Sequence, residues 1–174
     1  TGDLGVMLPD GCLVYKGRKD FRIKIRGYGV DLKEVELALR NHPTVADAVV
    51  VARENERREK DLIGYFTSTA RTSPSESELR SFLGQTLADY MIPSAFVRLD
   101  SIPLTPHNKV DRTALPLPAQ TRPNLDTPFM APRSETERQF AEIWAEVLGI
   151  DRVGIHDKFF DLGGHSLAAT RIVS

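Results

Sequence analysis

A proline-rich stretch near the middle of this 174-residue chain most constrains how it can fold. The stretch runs from Leu115 to Arg133, reads LPLPAQTRPNLDTPFMAPR, and holds five of the eleven prolines. It shows no helical or strand periodicity, and each proline fixes φ and removes a backbone donor. We therefore predict an extended linker over residues 116–132, with one folded unit before it and another after it.

The part before the linker contains several strand-like segments. Apolar or alternating runs occur in CLVYKG, DFRIKIRG, VADAVVVARE, DLIGYFTST and AFVRLD. The turn-like residues Gly17–Lys19 separate the first two runs, so we expect a short hairpin there. Two helices are expected between the strands, one from DLKEVELALRNHP and one from SESELRSFLGQTLADYM.

Both of these helices have a start signal. Asp31 with Glu34, and Ser75 with Glu78, have the spacing of a capping box. The order of elements is then β, β, α, β, β, α, β. This order predicts an α+β fold, in which a short hairpin and a small sheet have helices packed against them.

The part after the linker is predicted to be all-helical. Ser134 and Glu137 form a third capping box, and Gly149 is suited to end the helix that they start. A second helix is expected to begin near Ser166. Two helices and a loop bury little apolar surface, so we expect an incomplete helical bundle that is cut short.

Composition excludes some classes of partner. Hydrophobic residues make up 41% of the chain and the net charge is -1, without a basic block that would favour nucleic acid. No apolar run is long enough to span a bilayer, so we expect no membrane partner. Cys12 is the only cysteine, which indicates a reducing compartment and a cytoplasmic location.

The serine in the run Gly163-Gly164-His165-Ser166 allows three interpretations. A hydrolase nucleophile in a G-x-S-x-G elbow requires a glycine where Ala168 stands. A simple helix N-cap suits serine by itself. The third interpretation is a hydroxyl left exposed by the glycines at a helix start, where amide donors and the helix dipole favour a phosphodiester.

Longer motifs bring in a resemblance to a known family. DKFFDLGGHSLAATRIVS resembles the attachment motif of a peptidyl carrier protein from a nonribosomal peptide synthetase, whose serine carries phosphopantetheine. GRKDFRIKIRGYGVDLKEVE resembles a core motif of adenylation domains, at the junction of their large and small subdomains. PLTPHNKVDRTAL resembles the final motif of the same domains. The three motifs occur in the family's order and span essentially the whole chain.

The resemblance implies a division of the chain. Residues 1–115 would be the C-terminal portion of an adenylation domain, mostly its small subdomain, with the edge of the large subdomain at 1–5. Residues 116–132 would be the linker, and the LPLP at its start resembles an element that docks on the small subdomain. Residues 133–174 would be the N-terminal half of the carrier protein.

The resemblance also implies a function. An amino acid or related carboxylic acid would be activated with ATP as an acyl-adenylate and then loaded as a thioester on phosphopantetheine. Ser166 would be the attachment site and Lys109 the catalytic residue that bridges carboxylate and nucleotide. Asp3 and Arg18 would contact the nucleotide, and Asp20 would be the hinge. The hinge would let the loop at 26–31, RGYGVD, replace Lys109 and shape the pantetheine tunnel.

Cofactors and partners follow from the same resemblance. The cofactors would be phosphopantetheine and ATP with Mg²⁺, whose ligands lie outside this chain. The partners would be the large adenylation subdomain upstream, a phosphopantetheinyl transferase, neighbouring condensation or thioesterase domains, and the amino-acid substrate. Alone, the chain would be inactive. The alternatives are a fragment of an acyl-CoA-synthetase-like ligase, or a non-catalytic interaction module.

The chain departs from the family's pattern in two loops. His107-Asn108 stands where the family has Asn-Gly before the lysine. Asparagine tolerates the left-handed conformation better than most residues, so we expect the turn to be kept. Gly29 stands where an arginine is usual, and Asp31 where glutamate is usual, which puts one tunnel contact in doubt.

Overall fold

A computed structural model describes residues 3–18, 22–55, 58–69 and 73–172. The strands are β1 (Asp3–Met7), β2 (Leu13–Arg18), β3 (Arg22–Ile25), β4 (Tyr28–Asp31), β5 (Val45–Glu54), β6 (Lys60–Ser68) and β7 (Ala95–Arg98). The α-helices are α1 (Leu32–Arg40), α2 (Glu76–Leu83), α3 (Glu135–Leu148) and α4 (Ser166–Ile172), with a 3₁₀ turn at Asp89–Met91.

The first four strands form two separate antiparallel ribbons, β1 with β2 and β3 with β4. The predicted hairpin between the runs CLVYKG and DFRIKIRG is therefore wrong, because each run pairs with a different strand. Arg26 and Gly27 have φ of 48° and 88°. Positive φ at both central residues is typical of the two-residue hairpin turn whose twist matches that of the flanking strands. The chain therefore turns at Arg26–Gly27, and β4 pairs with β3.

The remaining strands form one sheet in the order β5-β6-β7, with β6 antiparallel to β5 and parallel to β7. One face packs against α1, α2 and the β3–β4 hairpin, with Ile25, Val30, Leu39 and Leu83 in the cluster. The chain after β7 covers the other face, where Leu115 joins the buried residues of β5 and β6. These layers confirm the α+β fold.

The helix starts follow the predicted caps to different extents. Ser134 and Glu137 form a complete, reciprocal capping box at α3. Ser75 accepts from the amide of Glu78 at 3.0 Å, whereas Asp31 accepts from the amide of Lys33. The second helix is shorter than predicted, since it ends at Leu83 with Gly84 as its C-cap, and a separate 3₁₀ turn follows at Asp89–Met91.

The helical part of the chain has its own small apolar cluster. Leu125, Val153 and Leu162 are buried there, and Trp144 and Leu148 pack against them. None of the residues of α3 is itself buried. Among the described residues, no helix has the length and apolar character needed to cross a membrane.

Candidate functional site

Ser166 is the first residue of α4, and its side chain is exposed. Gly163 has φ of 94°, a left-handed conformation that favours glycine. A Cβ at Gly164 would overlap the ring of Phe159. The two glycines therefore allow a tight turn that leaves the serine hydroxyl accessible.

The side chain that caps α4 belongs to His165 and not to Ser166. Nδ1 of His165 accepts a hydrogen bond from the amide of Ala168 at 3.2 Å. Burial, together with the nearby Arg26 guanidinium, lowers the pKa of His165 to about 4. The imidazole is therefore neutral at neutral pH and can accept this hydrogen bond. The interpretation of Ser166 as a simple helix cap is wrong, since a neighbour performs that role.

The surroundings of Ser166 also argue against a hydrolase. Residues 150–165, all of them described, contain neither helix nor strand. The strand-to-helix elbow that presents a hydrolase serine is thus missing. His165, the adjacent imidazole, is already engaged as a helix cap.

A buried ion pair joins the linker to the loop that leads to Ser166. Nε and Nη2 of Arg122 donate to the two carboxylate oxygens of Asp157 at 2.7 and 2.6 Å. The amide of Gly154 donates to the same carboxylate at 2.7 Å. The Asp157 side chain is 0% exposed and that of Arg122 is 9% exposed. The linker is therefore tied, at Arg122, to the loop that leads to the serine.

The start of the linker is held on the sheet. Nη2 of Arg53 donates to the carbonyl of Leu115 at 2.6 Å, and the hydroxyl of Tyr65 donates to the carbonyl of Pro116 at 2.6 Å. These contacts place the first half of LPLP against β5 and β6. The predicted linker is thus anchored at its start and again at Arg122.

The segment around Ser166 lies against the sheet region. Gly163 approaches the carbonyl of Ser94 so closely that a Cβ would overlap it. Arg171 forms an ion pair with Glu59 across the same boundary. A cavity of about 670 Å³ lies between the sheet, the linker and the helices. Its lining includes Glu59, Ile63, Leu117, Leu148 and His165.

Lys109 lies in an exposed, tightly hydrogen-bonded loop. The amide of Thr105 donates to the Lys109 carbonyl at 2.7 Å, and the amide of Asn108 donates to the Thr105 carbonyl at 2.9 Å. Asn108 has φ of 58°, so asparagine takes the left-handed position as expected. The loop is therefore kept despite the departure at His107-Asn108, and it presents the lysine to solvent.

The loop is fixed to the sheet region by an ion pair that sequence reasoning missed. Nη2 of Arg112 donates to Oε1 of Glu36 at 3.0 Å, and its Nη1 donates to the carbonyl of Val50 at 2.7 Å. The amide of Val50 also donates to Glu36. A signal for this site was available, because Glu36 occupies a buried position of α1 between Val35 and Leu39. Asp157 and Arg122 offered no comparable signal.

The Lys109 loop and the β3–β4 hairpin lie on opposite faces of the three-stranded sheet. Val110, next to Lys109, packs into the cluster on one face. Ile25 and Val30, one on each strand of the hairpin, are buried in the cluster on the other face. Alternating residues of β5 and β6 separate the two clusters. Val110 of the Lys109 loop and the two hairpin residues thus belong to different clusters of the same small domain.

Three further predicted residues lie near the start of the chain. Asp3 and Arg18 are opposite each other in the β1–β2 ribbon, as Cα partners. Asp20, the predicted hinge, lies outside the described residues. Within the described ranges, no three His, Cys, Asp or Glu side chains are grouped as a metal site requires.

Two families match successive parts of the chain. Residues 34–109 match the AMP-binding enzyme C-terminal domain, and residues 138–174 match the phosphopantetheine attachment site. The Lys109 loop ends the first match, and Ser166 lies within the second. Among solved structures, a four-domain nonribosomal peptide synthetase bound to AMP and glycine is 38% identical, with a TM-score of 0.55. The alignment covers 99% of this chain and 13% of that one.

Two similar curated proteins are also nonribosomal peptide synthetases. Tyrocidine synthase 3 of Brevibacillus parabrevis is 49% identical over 173 residues, which is 99% of this chain and 3% of the relative. A dimodular nonribosomal peptide synthase of Bacillus subtilis (strain 168) is 47% identical over 174 residues, or 100% of this chain and 7% of the relative. The chain thus spans a small share of the relatives it matches. Over its whole length the chain is similar to nonribosomal peptide synthetases, and it joins a match to the AMP-binding enzyme C-terminal domain to a match to the phosphopantetheine attachment site.

Proposed function

We propose that the protein containing this chain activates an amino acid, or a related carboxylic acid, with ATP and loads it on phosphopantetheine at Ser166. In the first half-reaction, a substrate carboxylate oxygen bonds to the α-phosphorus of ATP and pyrophosphate leaves. In the second, the pantetheine thiol bonds to the acyl carbon, the bond to the AMP oxygen breaks, AMP leaves, and the thiol proton passes to solvent.

The observation that carries this proposal is the separation of two loops on opposite faces of one small sheet. Lys109 is presented on one face and the hairpin turn at residues 26–27 on the other. A rigid body with two such faces can serve two half-reactions in turn if it rotates about a hinge. We assign that hinge to Asp20.

Lys109 suits the first half-reaction. Its side chain is exposed on a loop fixed by the Arg112–Glu36 ion pair, so the cation can enter and leave a site as the domain moves. A positioned cation stabilises the charge that develops on the phosphoryl oxygens. Asp3 and Arg18, which are paired in β1–β2, would contact the nucleotide from the opposite side of the hinge.

Ser166 fits the prosthetic group that the family carries. Its hydroxyl is exposed and is not the helix cap, and the tight turn at Gly163 and Gly164 places it at the first residue of α4. We assign the modification to a phosphopantetheinyl transferase. The other partners would be the large adenylation subdomain and neighbouring condensation or thioesterase domains. The 174-residue chain alone would not form adenylate.

Intact mass tests the attachment site directly. Treatment with a phosphopantetheinyl transferase and coenzyme A should add one pantetheine, and Ser166→Ala should abolish the addition. An adduct on another residue, or none on a protein with the complete carrier domain, would contradict the assignment. Adenylate formation followed by transfer to free coenzyme A alone would favour an acyl-CoA-synthetase-like ligase. Neither reaction would favour an interaction module.

A further inference from the structure

The β3–β4 hairpin is too small to hold its own shape. Each strand has four residues, and isolated two-stranded hairpins are at best marginally stable in water. Ile25 and Val30, one on each strand, are buried and fix the hairpin to the core. The turn beyond them, Arg26–Gly27, projects from this core, so its position depends on contacts made by its neighbours.

Two contacts hold the tip, one on each side of Gly27. Nη2 of Arg26 donates to Oδ1 of Asp61 at 2.8 Å, and both side chains are largely buried. On the other side, the ring of Tyr28 stacks on that of Tyr90, with the centroids 4.3 Å apart and the planes 11° from parallel. Asp61 belongs to β6 and Tyr90 to the 3₁₀ turn, so both partners are parts of the packed domain.

The other two residues of the tip, Gly27 and Gly29, are glycines and add no side-chain contact. A Cβ at Gly27 or Gly29 would meet no atom within 4 Å. Gly29 lies opposite Lys24 in the register and has no side chain with which to brace the turn. The geometry of the tip is therefore set by the flanking residues, through Asp61 and Tyr90.

We propose that Tyr90 and Asp61 are positioning residues for the second half-reaction, because they fix the hairpin tip through Tyr28 and Arg26. This inference rests on the proposed function, in which the loop at 26–31 shapes the passage for the pantetheine arm. Asp61 also lines the same cavity as His165, the residue before Ser166. The clamp, as we call the Arg26–Asp61 and Tyr28–Tyr90 contacts together, therefore has one partner at the cavity beside the attachment segment.

The main test compares Tyr90→Leu with Tyr90→Phe in the complete synthetase. Leucine removes the stacked ring, whereas phenylalanine keeps it and serves as the matched control. We expect Tyr90→Leu to lower the rate of thioester formation from supplied adenylate roughly two- to tenfold, as expected for one aromatic pair. Pyrophosphate exchange should be unchanged, and Tyr90→Phe should behave as wild type. Unchanged thioester formation, or equal losses in both half-reactions, would overturn the inference.

A second readout does not depend on activity. Amide exchange in β3 and β4 of the 174-residue chain should be faster in Tyr90→Leu and in Asp61→Asn than in wild type or Tyr90→Phe. Tyr28→Leu should reproduce the effect of Tyr90→Leu, which excludes a general folding defect at residue 90. Unchanged exchange would refute the clamp. A wild-type synthetase that forms no adenylate would contradict the proposed function instead, and exchange would still decide whether the stack holds the tip.

Discussion

Replacing Asp157 with alanine should destabilise the helical part of the chain more than any surface substitution. The carboxylate is fully buried and accepts from Arg122 twice and from the amide of Gly154. Removing it leaves a nearly buried guanidinium without its counter-ion. Breaking a buried ion pair from one side costs about 3–5 kcal/mol, because the remaining charge stays desolvated.

The chain contains a convenient probe for this measurement. Trp144 is the only tryptophan, and its ring lies 5.1 Å from that of Phe159 in the region that Asp157 supports. Urea unfolding followed by tryptophan fluorescence therefore reports on the helical region. We expect Asp157→Ala to lower its free energy of unfolding by about 3 kcal/mol or more.

Two control variants make the result specific. Glu135→Ala breaks an exposed pair with Arg138, in which the side chains are 70% and 53% exposed, and should cost at most about 1 kcal/mol. Arg122→Met combined with Asp157→Leu should recover much of the loss, since an apolar pair leaves no buried charge. A loss in Asp157→Ala no larger than that in Glu135→Ala would refute the reasoning.

The same site predicts a dependence on pH. Burial tends to raise the pKa of Asp157, but hydrogen bonds from Arg122 and from the amide of Gly154 outweigh it and hold the pKa below its ordinary value of 3.8. A depressed pKa contributes stability that is present above the unfolded value and is lost as the pH falls through the folded value. This contribution should therefore persist down to about pH 4 and disappear below it.

Three other predictions concern single residues. Lys109→Ala in the complete synthetase should lower pyrophosphate exchange by about 10²–10³ and leave thioester formation from supplied adenylate nearly unchanged; equal losses would make the lysine structural. Gly163→Ala should lower the free energy of unfolding of the helical region by about 1–3 kcal/mol in the same urea assay. The reason is that φ is 94° and a Cβ would overlap the Ser94 carbonyl. A free energy of unfolding equal to that of wild type would contradict this. His165, with its pKa lowered from 6.5 to about 4, should make the stability of that region fall as the pH drops from 6.5 towards 4, since the unfolded imidazole binds a proton in this range while the folded one stays neutral. His165→Asn, which does not titrate, should show no such fall in that range.

The sequence by itself determined the kind and order of most elements. Periodicity and caps are local, so β5, β6 and the start of α3 at its Ser134–Glu137 capping box could be predicted from neighbouring residues. The same holds for the left-handed turn at Asn108 and for the exposed serine after two glycines. The family motifs could be recognised for the same reason, because each is a continuous stretch.

Only the tertiary structure decided which parts meet. The sequence predicted a turn near Gly17 that would pair β2 with β3. In the structure β3 pairs with β4 instead, across the turn at Arg26–Gly27. His165 rather than Ser166 became the helix cap, since the fold places its Nδ1 where it accepts from the amide of Ala168. Arg122 and Asp157 are 35 residues apart. Two charged residues so far apart in sequence form a buried pair only when the fold packs both away from water. A pattern in neighbouring residues cannot predict such a pair.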